Sequence, residues 1–407
     1  MVGLPHPGEK PIYLEHDRAL TMNVLYLYES ILPDQFTKDT LFLGEVRVIA
    51  AQPNVKKIFV LGRSGQGFYD IKKNKSTKGP LEKKVKLIHF KGFENNAWYY
   101  FLGPIIFYYA FRFLKTHHID LIQTESPHIS GPPAIILGKI FKIPVISEYR
   151  ASYDFIVDYR LKWVPSQVKL KIFHWLCSWV FNNCVYILAN SKTYASQLKK
   201  QYKLNNISYF NAGAHPPSVK QKNKKRPITV GFLGRLYPDK GPKYFLQAIS
   251  INQEKFTNAN AQFILAGKGP EKPSLIAYAN QKKLNDLVSF VGQQERWDFF
   301  SQIDILVNPN IIFNALEMVN YEAASQGIPV VCFGDKTYPE TVKHNYSGIK
   351  VPNRNSKQLS NNVLKLILDN KLRQEYSKNA IKFYNKNYTF NKQVMLLQKT
   401  YQSINHE

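Results

Sequence analysis

The sequence predicts an α/β protein built from two doubly wound, Rossmann-like domains that face a central cleft. Three observations carry this. Short, continuous apolar runs alternate with segments of helical spacing from Asn23 to the last third of the chain. Such runs are strands buried on both faces, as in a parallel sheet covered by helices. The series is interrupted at 217–226, Pro-Ser-Val-Lys-Gln-Lys-Asn-Lys-Lys-Arg, which is charged and poor in apolar residues and reads as a linker. Finally, 407 residues is long for one core and suits two.

Residues 1–21 hold three prolines and no clear period, so they read as an extension outside the fold. The first domain spans 22–216. Its first strand is Asn23-Val-Leu-Tyr-Leu-Tyr28, followed by a helix from about Thr40 to Ala51 and a strand from Lys57 to Leu61. A basic loop leads to a third strand, Val85 to Phe90. The stretch from Trp98 to His117 has helical character, and Ile119 to Gln123 is a fourth strand. Pro132 to Phe141 is a helix, and Pro144 to Ser147 a fifth strand. Val168 to Asn183 is helical, with Phe173, Leu176, Trp179 and Val180 at core spacing. Tyr186 to Asn190, the polar helix Lys192 to Tyr202 and the strand Ile207 to Asn211 complete the domain.

The second domain, 227–382, repeats the pattern. Strands are predicted at Ile228–Phe232, within Gln262–Ala266, at Val288–Gly292, within Ile303–Asn308 and at Ile328–Phe333. Leu316 to Gln326 is a helix stopped by Gly327, a residue suited to a C-cap. The first strand ends in Gly234 and opens through Arg235 and Lys240 into a helix bearing Phe245, Leu246 and Ala248. A strand ending in glycine before a helix lets the backbone approach a phosphate. Two cations beside it suit a diphosphate whose negative charge grows as a bond breaks; surface charges on an ordinary turn are the plainer alternative.

The formal charge of +26 is shared by both halves of the chain. It favours polyanions such as anionic membrane or phosphorylated substrates; an Asn-, Lys- and Tyr-rich composition accounts for it equally. Residues 72–91 are densest, with eight lysines and one acid, Glu82. No helix-turn-helix, zinc spacing or aromatic-studded sheet accompanies the charge, so nucleic acid is not an expected partner. Three cysteines form no disulfide framework, which suits a reducing compartment, and Cys332 sits in an apolar strand. No secretory h-region or transmembrane span is evident. The aromatic stretch Trp98 to Leu114 reads as a helix of the first domain or as an interfacial helix on a membrane.

Four motifs stand in order: Gly234-Arg-Leu-Tyr-Pro-Asp-Lys-Gly241, Ala266-Gly-Lys-Gly-Pro270, Phe290-Val-Gly292 and Glu322-Ala-Ala-Ser-Gln-Gly-Ile-Pro-Val-Val331. This succession resembles glycosyltransferase family 4. The resemblance covers most of 228–400 and implies a GT-B fold and a retaining transferase that uses a nucleoside-diphosphate sugar. It also implies that no metal is needed and that the last segment, 383–407, crosses back to the first domain. By the same resemblance Arg235 and Lys240 are the diphosphate pair, beside Gly234. Glu322 is the acid that holds the nucleotide ribose, or else a helix-terminal acid favoured by the dipole.

Two departures from the family pattern bear on the sugar. Asn314 stands where the first acid of Glu-x7-Glu is usual, and Glu317 where glycine is usual. Glu317 either supplies the missing carboxylate or obstructs the site. Lys336, in Phe333-Gly-Asp-Lys-Thr-Tyr-Pro-Glu340, either adds a third cation near the phosphates or points to water. In the first domain the strand-end residues Glu125, His128, Glu148, Arg150 and Asp154 are candidates for contact with the acceptor. No protein base is assigned, because in a front-face retaining transfer the leaving phosphate can take the acceptor's proton. The function expected is sugar transfer in cell-envelope polysaccharide or glycolipid synthesis. It would be cytoplasmic, with a saccharide or lipid-linked acceptor and the anionic inner leaflet as partners. A nucleotide-sugar-binding protein that has lost turnover is the alternative.

Overall fold

Seven parallel strands form the first sheet: β1 (Met22–Tyr28), β2 (Val55–Ser64), β3 (Val85–Lys91), β4 (Leu121–Thr124), β5 (Val145–Tyr149), β6 (Tyr186–Ala189) and β7 (Ile207–Tyr209). Their order is β3-β2-β1-β4-β5-β6-β7. The computed structural model describes residues 21–29, 41–64, 81–91, 102–150, 165–213, 216, 226–312 and 316–404. The expected N-terminal extension, most of the basic loop, Asp154, Asn314 and nearly all of the linker lie outside these residues.

Strand order reverses between β1 and β4, which pair in register Val24 with Leu121 and Leu27 with Thr124. In an open parallel sheet the crevice at such a reversal, beyond the carboxyl ends of the strands, is where ligands bind. Helices α1 (Leu41–Ala50), α2 (Leu102–Leu114), α3 (Gly131–Phe141), α4 (Ser166–Asn183) and α5 (Lys192–Tyr202) connect the strands. The core is apolar because the strands are nearly continuous runs of Val, Leu and Ile: Val24, Leu25, Ile58, Val60, Leu121, Ile146 and Ile187 are fully enclosed.

The second unit has β8 (Ile228–Leu233), β9 (Ala261–Ala266), β10 (Val288–Gly292), β11 (Ile305–Asn308), β12 (Val330–Phe333) and β13 (Gly348–Val351), all parallel, in the order β10-β9-β8-β11-β12-β13. The reversal falls between β8 and β11, where Ile305 pairs with Val230. Its helices are α6 (Pro242–Ile251), α7 (Gln253–Asn258), α8 (Lys272–Gln281), α9 (Arg296–Gln302), α10 (Met318–Ser325), α11 (Ser356–Leu368) and α12 (Asn370–Asn387). Strand β13 was not anticipated, because Lys350 breaks the apolar run that marks the others.

The chain divides into Met1–Gly213 with Phe390–Glu407, and Ala214–Thr389. The returning helix α13 (Phe390–Ile404) packs on the first sheet, where Leu397 and Tyr401 are fully buried. Its Gln393 accepts from Asn211 N at 3.0 Å, and the Tyr401 carbonyl accepts from Asn54 Nδ2 at 3.3 Å. The crossing begins at Phe390 rather than 383, because α12 runs unbroken through Asn387 and belongs to the second unit.

One lysine of the basic segment is structural. Lys84 is no solvated lysine: its ammonium donates to Ala50 O at 2.9 Å and Val55 O at 2.8 Å, tying α1 to β2. Burial lowers its pKa accordingly. Lys83 and Lys86 are exposed, and Lys86 lies 5.9 Å from the Phe59 ring centre.

Candidate active site

The carboxyl ends of β8, β9, β11 and β12 converge at the reversal of the second sheet. After β8 the chain makes a 3-10 turn, Pro238–Lys240, and enters α6 at Gly241. Backbone bonds stitch this turn to its neighbours. Ile311 N donates to Asp239 O at 3.0 Å, Leu236 N to Lys268 O at 3.0 Å, and Gly234 N to Ala266 O at 3.1 Å. Two glycines permit the close approach. At Gly241, φ is +67° and a Cβ would stand 2.0 Å from Pro309 O; at Gly267, φ is +145° and a Cβ would stand 1.8 Å from Gly234 O. A side chain at either position would push the loops apart.

On this frame Arg235 and Lys240 stand after the same strand but in different surroundings. The Arg235 side chain is 66% exposed, 3.6 Å from Asp239 and 5.0 Å from the Tyr237 ring centre. Lys240 is 26% exposed and pairs with Glu317 at 3.6 Å. Glu317 itself is buried, accepts from Asn310 Nδ2 at 2.5 Å and occupies the N-cap position of α10. The predicted helix therefore starts at Met318, not Leu316, and the acid that departs from the family pattern sits at its mouth. Asn310, Ile312, Glu317, Tyr338 and Pro339 line a small pocket beside Lys240. Below it Asn308 Nδ2 donates to Asn320 Oδ1 at 2.9 Å, and Asn320 Nδ2 to Thr341 Oγ1 at 3.1 Å.

Glu322 is buried one turn into α10 and ion-pairs with Arg296 of α9. Sequence reasoning missed Arg296, Asn310 and Asn320, because each becomes relevant only through a partner on another element. Lys336 is exposed on a turn in which Asp335 Oδ1 accepts from Thr337 N at 2.7 Å and Tyr338 N at 2.8 Å. That turn carries Tyr338 and Pro339 to the pocket, while the lysine faces outward.

The first unit carries a different chemistry at its own reversal. Arg150 lies at the end of β5 with its side chain 8% exposed, where it meets Glu45, Glu125 (3.3 Å) and Glu148 (2.7 Å). It also donates to the hydroxyls of Tyr26 and of Tyr28, the latter at 3.2 Å. Glu148 accepts in addition from Tyr26 at 2.9 Å and from Gln123. One guanidinium thus serves three carboxylates, and Glu125 further accepts from Glu29 N at 2.8 Å. Burial pushes the Glu125 carboxyl up to about 8 against the pull of Arg150, and burial likewise raises Glu45. Glu148 and Arg150 are therefore brought together as predicted strand-end residues, but as an interior network rather than exposed contacts. His128, expected on an open loop, is buried against Phe173 with ring centres 5.5 Å apart. Neither it nor the Arg150 network presents a free face, because the loop after β4 turns directly into α3 and packs on α4.

Comparison with known proteins fits this geometry. Residues 217–383 match the family described as glycosyl transferases group 1. An alpha-D-kanosaminyltransferase from Streptomyces kanamyceticus is 26% identical over 38% of this chain and 40% of its own length. An N,N'-diacetylbacillosaminyl-diphospho-undecaprenol alpha-1,3-N-acetylgalactosaminyltransferase from Campylobacter jejuni is 24% identical over 69% of this chain and 77% of its own. The chain thus spans only 40% of the length of the first of these relatives. Among solved structures, an Anabaena protein in complex with UDP and glucose superposes with a TM-score of 0.67 and 17% identity, over 94% of this chain and 100% of that one. The fold is GT-B, two Rossmann-like α/β units, and the residues that match glycosyl transferases group 1 fall within the second unit.

Proposed function

We propose that the protein transfers a sugar from a nucleoside-diphosphate sugar to an acceptor with retention of configuration. The observation that carries this reading is the β8 turn, held against the β11 loop by the Ile311–Asp239 bond and presenting Arg235 and Lys240 at the sheet's reversal. In the proposed reaction the anomeric C–O bond to the diphosphate breaks and the acceptor oxygen bonds to that carbon on the same face. The acceptor's proton passes to the departing phosphate. Arg235, a planar fork, and Lys240, a compact charge, would stabilise the leaving diphosphate. Glu322, oriented by Arg296, would accept from the ribose hydroxyls, and Gly234 lets the backbone approach. Glu317, with Asn314 nearby in sequence, would meet the donor sugar, and Lys336 would remain peripheral. No metal or cofactor enters this scheme. His128, Glu148 and Arg150 would act on the acceptor side only by shaping the first unit's reversal.

The names of relatives extend the reading toward the cell envelope. The Campylobacter relative's name includes a diphospho-undecaprenol, a lipid-linked acceptor. We infer an acceptor of saccharide or lipid-linked type and a cytoplasmic enzyme docked on the anionic inner leaflet. Among the described residues no helix is long and apolar enough to cross a membrane.

Glu317 favours a second reading. It pairs with Lys240 at the mouth of α10, where a donor phosphate would compete for the same ammonium. A protein that binds the nucleotide sugar without turning it over would result.

One experiment separates the two. Thermal shift against a panel of nucleotide sugars identifies the donor, and product release is then measured. Lys240→Ala and Arg235→Ala should each lower turnover about a hundredfold, the loss of one charge-assisted contact to a developing anion. Unchanged turnover in both variants refutes the diphosphate role. Binding without turnover, rescued by Glu317→Gly, establishes the second reading.

A further inference from the structure

The helices α2, α3 and α4 pack side by side on the first unit. Their seams are marked by Phe111 against Phe141, with ring centres 5.5 Å apart, and by Lys139 lying 6.0 Å from the Trp179 ring centre. Each helix buries one stripe; α4 buries Phe173, Cys177, Val180 and Phe181, while Leu176 and Trp179, expected in the core, are only half-buried because they lie off that stripe. Yet α4 carries a second apolar stripe on its outer side. Val168, Ile172, Trp175 and Trp179 recur at helical spacing, and Ile172 is 58% and Trp175 66% exposed. On α3, Ile136 and Ile140 are exposed next to that stripe; on α2, Tyr109 instead stacks on Phe90 of β3, with ring centres 5.1 Å apart. Scattered exposed apolar residues need no explanation, but an array across two adjoining helices marks a contact surface.

The charged residues of these helices all have one sign. None of the three helices contains an aspartate or glutamate. Arg112, Lys139 and Lys171 lie on them, with Lys115 and Lys142 just past their ends, all exposed. A second copy of the chain would bring the same cations face to face. The complementary partner is apolar within and anionic at its rim. Indole and long cationic side chains suit the boundary between acyl chains and headgroups, where the ring stays apolar and the charge reaches water.

We propose that the outer faces of α3 and α4, centred on Ile136, Ile140, Ile172 and Trp175, are the surface by which this protein lies on an anionic lipid bilayer. The inference rests on the membrane-docking reading above and gives it a site: this face, rather than the lysine-rich segment 72–86 that charge alone would suggest. Contact with lipid buries the second stripe, while the cationic rim adds a salt-sensitive attraction.

Flotation of the full chain with phosphatidylglycerol-containing and with pure phosphatidylcholine vesicles tests this. Wild-type protein should float with the anionic vesicles, and more weakly as salt rises. The Ile172→Ser/Trp175→Ser variant should lose about tenfold in partition at an unchanged thermal midpoint, because exposed side chains contribute little to the core. Gln at Lys72, Lys73, Lys75 and Lys78 should leave most binding intact. If the loop variant loses binding and the α4 variant does not, docking survives and this face is wrong. If wild-type protein floats with neither vesicle, the docking reading itself falls. A dimer in light scattering that the α4 variant dissolves would make a second copy the occupant and overturn the proposal. Should the double variant misfold, acyl-brominated phosphatidylglycerol should quench wild-type tryptophan emission, less so in Trp175→Phe; equal quenching in both overturns it.

Discussion

Replacing Gly241 by alanine should separate backbone strain from loop contact at the candidate active site. Gly241 has φ +67°, a left-handed conformation that disfavours an alanine by about 1–2 kcal/mol. Its added Cβ would also stand 2.0 Å from Pro309 O, a backbone atom that cannot rotate away. The β8 turn and the β11 loop must then part by more than an ångström. That opens the 3.0 Å bond from Ile311 N to Asp239 O, a further loss of about 1 kcal/mol. The total is about 2–3 kcal/mol, and Lys240, the preceding residue, moves with the turn. Gly292 provides the control: φ is +71°, yet nothing lies within 4 Å of its Cβ position. Gly292→Ala should therefore lose only the conformational part. Urea unfolding of both variants gives the stability difference. Turnover of the best donor should fall about a hundredfold in Gly241→Ala, as expected for an ångström-scale misplacement, and little in Gly292→Ala. Equal stability losses in the two variants would refute the claim that the loops are pinned at this glycine.

Two further outcomes are expected away from the donor site. Lys84→Met should destabilise the first unit by about 2 kcal/mol, because two buried carbonyls, of Ala50 and Val55, lose a charged donor; the exposed Lys83→Met should have little effect, and equal unfolding midpoints for the two would contradict the tie. Glu125 has its pKa raised from 4.5 to about 8, so the folded chain binds more protons than the unfolded chain between those values. Its contribution is fully present below the lower value and is lost as pH rises through the upper one, with Glu29, Glu45, Glu148, Tyr28 and Arg150 facing it. The thermal midpoint should fall across this window, and Glu125→Gln should flatten the slope; an unchanged slope would show that Glu125 is not the titrating group.

The sequence located most strands, because burial on both faces demands apolar runs such as Val24–Leu27 and Val330–Phe333, whose short length and flanking turn residues set them apart from helical runs such as Ala134–Leu137. It missed β13, whose Lys350 interrupts the run. It also located the β8 turn, since Gly234, Arg235, Lys240 and Gly241 are contiguous and their chemistry is local. Pairings across elements were invisible to it. Nothing in the residue order says that Glu317 meets both Lys240 and Asn310, or that Arg296 claims Glu322. Nor does it say that Arg150 is taken into the interior by three carboxylates, so that a predicted surface contact becomes a buried network. The outer stripe of α4 has the same spacing as a core stripe. Only the packing of α3 beside α4 decided which stripe the sheet covers and which it leaves to solvent. A helix presents every side of its surface to sequence reasoning alike; the tertiary structure distinguishes them by which side another element removes from water.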